Sequence, residues 1–368
     1  MDDPAERRQL DQFLQYPLAY ARQALRYAQE LGIAPARLVR SADTVRAVAQ
    51  GHPPDNSLAE FTAGAPPRSG KPARPRPRPM VIRDRTFIWG SQTYVMAIVN
   101  VTPDSFSGDG VGDAPGAVRE KIETAISGGA DVIDIGGEST RPGASKLSAA
   151  EEMERVLPAI AIAREMTEIP VSIDTYKAEV ARAAVEAGAD LVNDVWGTTA
   201  DPEMAATVAG LGCPFIITHN RAAPAVQGEI GPHFAEVDYG DVAGSVYAVL
   251  ERLRDGAISA GISRENIILD PGIGFGKTPP QNVKLMGRLE ILNGLGQPLL
   301  LGASRKSFIG HTLGDGTADR LMGTTAANMA AIAQGVDIIR VHDVSQAVQA
   351  ARVMDSILGR SRPDASIE

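Results

Sequence analysis

Polar residues with complementary chemistry close a series of apolar runs in this chain. Asn100 ends YVMAIV, Asp174 ends PVSI, Asn193 and Asp194 end DLVND, His219 follows PFIIT, and Asp270 follows NIIL. Thr140 and Arg141 follow DVIDI through Gly136, Gly137, Glu138 and Ser139; Ser304, Arg305 and Lys306 follow PLLLG; and Arg340 and His342 close DIIRV. An ionised carboxylate only accepts hydrogen bonds, so Asp174 and Asp270 suit a heterocycle that presents adjacent N–H groups. Asn193 adds a donor and an acceptor, and Lys306 can donate to a ring carbonyl or imine nitrogen. Together they fit an aminopyrimidinone edge. Arg340 can lay its planar guanidinium over an aromatic ring while reaching phosphate oxygens. Thr140, Arg141, Arg340 and His342 are donors suited to a phosphate or diphosphate. Asn100 supplies a neutral amide oxygen, sufficient for Mg2+, which relies largely on substrate phosphates and water. Any one of these residues could instead be a turn former, a cap or half of a local Asp–Lys pair. Their recurrence after every run favours a shared site.

Such residues need elements that converge. The runs at 94–99, 131–135, 170–173, 190–194, 214–218, 266–269, 298–302 and 337–341 are eight short β-rich segments, and stretches of helical periodicity such as 177–187 and 322–334 separate most of them. In the first such stretch Val180, Ala183, Ala184 and Ala187 form an apolar stripe that stops at Gly188. Eight β-then-α units predict an α/β chain folded as a parallel (β/α)8 TIM barrel, whose active site lies at the C-terminal ends of the strands. The string DPGIGFGK at 270–277 lacks the GxxxxGK[ST] spacing of a phosphate loop. No GxGxxG follows the first run, so a dinucleotide cofactor is not expected. The glycines at 272–276 are expected to bring a loop close to a flat ligand, with Phe275 as one wall. His219 has no second histidine at ligand spacing and reads as a hydrogen-bonded structural residue.

Composition narrows the setting. With 44% hydrophobic and 22% charged residues and no apolar run near ~20 residues, the 368-residue chain reads as soluble and without a membrane span. The net charge of −9 is uneven: residues 1–80 hold twelve Lys/Arg and eight Asp/Glu, and the remainder 24 and 37. General nucleic-acid binding by the acidic remainder is not expected. Residues 1–50 read as a short helical N-terminal extension, with Leu18, Ala21, Leu25, Ala28 and Leu31 at helical spacing after Pro17 and a second short helix after Pro35 or Asp43. Residues 51–80, with eight prolines and five Lys/Arg, read as an extended or disordered basic linker. The barrel is assigned to 81–360 and a tail to 361–368. The N-terminus MDDPAERRQL lacks a basic segment followed by an apolar core, and the single Cys213 excludes an intrachain disulfide framework, so a cytoplasmic setting is expected.

Several strings together resemble dihydropteroate synthase: IVNVTPDSFS at 98–107, DIGGESTRPG at 134–143, SIDT at 172–175, Asn193-Asp194, LDPGIGFGK at 269–277, ASRKSFIG at 303–310 and RVHDV at 340–344. The likeness runs over about residues 81–360, in the family's order. It implies a (β/α)8 barrel that joins 4-aminobenzoate to the methylene carbon of a pterin diphosphate, releases diphosphate in folate biosynthesis, uses Mg2+, is a sulfonamide target and forms a homodimer. By the same resemblance Asn100 is the Mg2+-linked residue of the first loop. Thr140 and Arg141 belong to the loop that closes over diphosphate and the incoming amine. Asp174, Asn193, Asp270 and Lys306 are pterin contacts, Arg340 and His342 handle the pterin face and the diphosphate, and Phe106, Pro142 and Ser307 wall the 4-aminobenzoate site. Two departures stand out. The family's acid directly after SFS is replaced by Gly108, with Asp109 one position later, and the family's His-Met-x-Gly after the fifth run is His219-Asn220-Arg221-Ala222. A methyl-tetrahydrofolate–corrinoid methyltransferase would not need the ESTRPG and SRKS segments. A non-enzymatic pterin-binding module is the remaining alternative.

Overall fold

The structure is a computed structural model that describes residues 76–101, 115–139, 146–221 and 239–360. The expected N-terminal helices, nearly all of the linker, the tail, and Phe106, Asp109, Thr140, Arg141 and Pro142 lie outside the described residues. The first described element is a hairpin, β1 (Met80–Ile82) and β2 (Arg85–Phe87), in which Met80 pairs with Phe87. Its turn places Arg83 at φ 54°, a left-handed conformation costing an L residue roughly 1–2 kcal/mol. The Arg83 guanidinium offsets part of that by donating from Nε to Glu168 at 2.8 Å. The strand thus begins at Met80, which is buried.

Eight parallel strands follow: β3 (Tyr94–Asn100), β4 (Val132–Gly136), β5 (Val171–Asp174), β6 (Leu191–Asp194), β7 (Phe215–Thr218), β8 (Ile267–Asp270), β9 (Leu300–Leu301) and β10 (Ile338–Val341). Their order is β8-β7-β6-β5-β4-β3-β10-β9, and a parallel bridge from Leu269 to Leu299 brings the two ends together. The helices alternate with them: α1 (Pro115–Ser127), α2 (Ala149–Met166), α3 (Ala178–Glu186), α4 (Met204–Leu211), α5 (Val242–Ser259), α6 (Pro279–Met286), α7 (Ser307–Leu313), α8 (Leu321–Ala333) and α9 (Val344–Ile357). This is the predicted (β/α)8 barrel. No described helix is long and apolar enough to cross a membrane.

Side chains alternate across each strand with period two. One set, including Val95, Ile133, Ile173, Phe215, Leu269 and Ile339, packs in the core shared with the helices. The other set forms a separate cluster of Met96, Val132, Leu191, Ile216, Ile268, Leu300 and Ile338 inside the barrel. The hairpin closes that cluster from the N-terminal side: Phe87 and Tyr94 lie 4.6 Å apart between ring centroids, and Trp89 meets Tyr94 edge-on at 5.6 Å. Two residues further along the same inward face, Val132 leads to Asp134, Leu191 to Asn193, Ile268 to Asp270 and Ile338 to Arg340. The interior therefore changes from apolar to polar in a single two-residue step. Ligand chemistry is confined to the C-terminal mouth.

Candidate active site

The polar layer is tied together across strands. Asp134 is completely buried, and its Oδ2 accepts from Arg340 Nε at 2.5 Å and from Asn193 Nδ2 at 3.1 Å. Arg340 Nη2 donates to Asp174 Oδ2 at 2.5 Å. Burial pushes the Asp174 carboxyl up to about 7 against the opposing charge of Arg340. Register fixes this proximity, since Asp174 lies opposite both Gly136 and Asn193. A Cβ on Gly136 would stand 3.4 Å from Asp174 Cβ and 3.5 Å from Asn100 Oδ1, so the missing side chain lets the Asn100 amide approach the acid.

Asp270 and Lys306 form the other side. Asp270 Oδ1 accepts the Gly272 N–H at 2.7 Å. A Cβ on Gly302 would stand 3.8 Å from Asp270 Oδ2 and 3.9 Å from Lys306 Nζ, which places both groups over one bare backbone position. Burial raises the Asp270 carboxyl and lowers the Lys306 ammonium to about 8, and each group's charge opposes the other's displacement. Lys306 Nζ also donates to the Ile273 carbonyl and sits 4.4 Å from the Phe275 ring centroid. Phe275 is thus beside the site, as the glycine-rich loop predicted.

That loop is organised from within by Lys277. Completely buried, its Nζ donates to the carbonyls of Gly272 at 2.8 Å and Phe275 at 3.0 Å, and lies 2.8 Å from His219 Nδ1. Burial holds the His219 imidazole well below its usual range and lowers Lys277 as well, so the neutral ring can accept a hydrogen bond from the Lys277 nitrogen. The backbone N–H of His219 donates to the Asp270 carbonyl at 2.9 Å. These bonds give His219 the structural role expected of it. Gly272 is obligatory here: its φ is +65° and a Cβ would fall 1.9 Å from the His219 carbonyl oxygen.

The remaining predicted residues fall in two groups. His342 meets Ser304 through Nδ1 at 2.9 Å, linking the ends of β10 and β9. Ser307 is exposed at the first position of α7, next to Lys306. Asp194 points away from the pocket and accepts the N–H groups of Trp196 at 2.8 Å and Thr198 at 2.6 Å, shaping the turn after β6. Sequence reasoning missed Asp134, Lys277 and a cluster at the base of the second loop. There Glu138 accepts from Tyr176 Oη at 2.8 Å and from the Leu147 N–H at 3.1 Å, while Lys177 Nζ donates to Glu138 at 2.5 Å and to the buried Glu152. The signal for Asp134 was an acid inside a fully apolar strand, VIDIG.

A parallel barrel with a sealed apolar floor and three acids, an amide, a lysine and an arginine at its C-terminal mouth has the layout of a barrel enzyme. Residues 96–342 match the model of the pterin binding enzyme family. Dihydropteroate synthase of Synechocystis is 45% identical over 282 residues, covering 76% of this chain and 96% of the relative. The crystal structure of Xanthomonas albilineans dihydropteroate synthase in complex with 7,8-dihydropteroate superposes with a TM-score of 0.65 at 34% identity, covering 76% of this chain and 99% of that one. That of the Yersinia pestis enzyme with a sulfonamide drug complex gives 0.70 at 34%, covering 77% and 100%. The chain belongs to the pterin binding enzyme family.

Proposed function

We propose that this chain is a dihydropteroate synthase: it condenses 7,8-dihydropterin-6-ylmethyl diphosphate with 4-aminobenzoate to give 7,8-dihydropteroate and diphosphate in folate biosynthesis. The observation that carries this is the layer of Asp174, Asn193, Asp270, Lys306 and Arg340 gathered over the apolar floor. Two carboxylates, a mixed amide and an ammonium complement the N–H groups and ring carbonyl of a pterin. Arg340 on β10 and His342 just past its end handle the pterin face and the diphosphate in this reading. Thr140 and Arg141 bind diphosphate in this reading, and Phe106, Pro142 and Ser307 border the 4-aminobenzoate, which a sulfonamide would imitate.

The reaction breaks the bond between the methylene carbon and the diphosphate oxygen, and the electron pair leaves with diphosphate. The aniline nitrogen forms the new C–N bond and loses a proton to solvent. Arg340 and His342 stabilise the departing charge, and the electron-rich pterin, held by Asp174 and Asp270, stabilises the developing methylene cation. No protein nucleophile is needed. Cys213 is buried in the outer core and takes no part.

Mg2+ fits the donor set as a substrate-borne ion. Asn100 presents an amide oxygen beside Asp174 at the mouth, and no cluster of three His, Cys, Asp or Glu among the described residues offers a self-sufficient cage. Asn100 would hold the ion, which when bound screens diphosphate charge. We also assign a homodimer and a cytoplasmic location. Met322, Val353 and Ile357 are 75%, 62% and 72% exposed on α8 and α9, where they border an apolar groove of about 500 Å³. Such a face is suited to isologous pairing. The activity is tested with purified chain, both substrates and Mg2+: diphosphate release should require 4-aminobenzoate. Release that is absent, or independent of the amine, would refute the reading.

A further inference from the structure

Asp134 is a buried acid at the centre of the pocket for which the reaction scheme above has no use. Its Oδ2 is shared by Arg340 and Asn193, while its Oδ1 is buried with no hydrogen-bond partner among the described residues. Ser172 lies opposite it in register, and the Ser172 hydroxyl is buried and unpartnered in the same way. An acid retained only to complete the packing would have its acceptors filled by the protein. What the geometry does determine is the posture of two neighbours. Because Asn193 donates an Nδ2 hydrogen to Asp134, its amide cannot flip without losing that bond and setting Oδ1 against a carboxylate. Its Oδ1 and second N–H therefore face the pocket in one order. Because Arg340 spends Nε on Asp134 and Nη2 on Asp174, the plane of its guanidinium is fixed by two strands.

We propose that Asp134 is the positioning residue of this site, setting the hydrogen-bond polarity of Asn193 and the plane of Arg340 so that the pocket accepts a pterin in a single orientation. The inference rests on the proposed function. Asp134 acts through its two neighbours and differs from Asp174 in lying deeper in the barrel, opposite Ser172 where Asp174 lies opposite Gly136. Its loss should weaken recognition of the heterocycle and leave the amine site alone.

The test uses the full chain and 6-hydroxymethyl-7,8-dihydropterin as probe in calorimetry, with steady-state kinetics alongside. Asp134→Asn keeps the shape but lets residue 134 present an N–H towards Asn193 or Arg340. It should weaken pterin binding at least about tenfold, with KM for 4-aminobenzoate at saturating pterin diphosphate changed less than about twofold. A purely structural role would lower the thermal midpoint and the calorimetric stoichiometry and leave the pterin affinity of the folded fraction unchanged. Asp134→Glu retains the charge and moves it by one methylene, and should lose pterin affinity if Asp134→Asn does not fold. Pterin affinity within about twofold of the parent in Asp134→Asn or Asp134→Glu would overturn the proposal. A parent chain that binds no pterin would overturn the proposed function and this inference with it.

Discussion

Replacing Lys306 by Met should invert the pH dependence of pterin binding. Asp270 and Lys306 face each other over Gly302 in a buried site, where burial raises the acid and lowers the base to about 8. The Lys306 ammonium is the charge that most opposes the effect of burial on Asp270, so removing it lets burial raise that carboxyl further. In the parent, pterin affinity should fall as pH rises through about 8, because Lys306 loses its proton and its charge. In Lys306→Met, affinity at pH 7 should be at least about tenfold weaker, because the pterin loses the ammonium donor and the Asp270 carboxyl, raised further, is less ionised and accepts less well from the pterin N–H groups. It should then improve rather than fall as pH rises, because the ionisation of that carboxyl is the titration that remains at this pair. Calorimetric titration of 6-hydroxymethyl-7,8-dihydropterin from pH 6.5 to 9 reads both slopes. Parallel falling curves for the two proteins, or an unchanged affinity at pH 7, would refute the assignment of Asp270 and Lys306 as a mutually supporting pair.

Other outcomes follow from the same geometry. Asp174, pushed up to about 7, must be ionised to accept from the pterin, so kcat/KM for the pterin diphosphate should fall as pH drops through about 7 and also as it rises through about 8; a profile flat across pH 6–9 would contradict this. Gly272→Ala forces a Cβ to within 1.9 Å of the His219 carbonyl at a positive φ and should lower the thermal midpoint by at least about 4 °C in calorimetry. Met322→Glu with Ile357→Glu should convert a dimer to a monomer in sedimentation velocity, since like charges would meet across a two-fold axis.

The barrel was legible because its strands are buried on both faces and therefore read as continuous apolar runs. Its working residues were legible because Asn100, Asp174, Asn193, Asp270 and Arg340 end those runs or sit within a residue of their ends. Asp134 escaped because it lies two residues before the end of β4, between Ile133 and Ile135, and not at the end of the run where the other polar residues stand. Lys277 escaped because a lysine in a glycine-rich loop reads as solvent-facing, and only the folded loop shows its Nζ surrounded by carbonyls. The hairpin escaped because its turn, Arg83-Asp84, has none of the Asn-Gly chemistry that usually marks a two-residue connection. Its role, sealing the barrel floor with Phe87 and Trp89, depends on contacts with strands far along the chain.

The most direct measurement is the stoichiometry of the two products in one reaction, with diphosphate and 7,8-dihydropteroate quantified together by chromatography. The proposed reaction consumes a pterin diphosphate with the amine as nucleophile, so the two should appear in a 1:1 ratio and cease together when either substrate is withheld. Diphosphate formed in excess of dihydropteroate would mean that water takes the place of the amine, and the absence of both would mean that the polar layer serves another ligand.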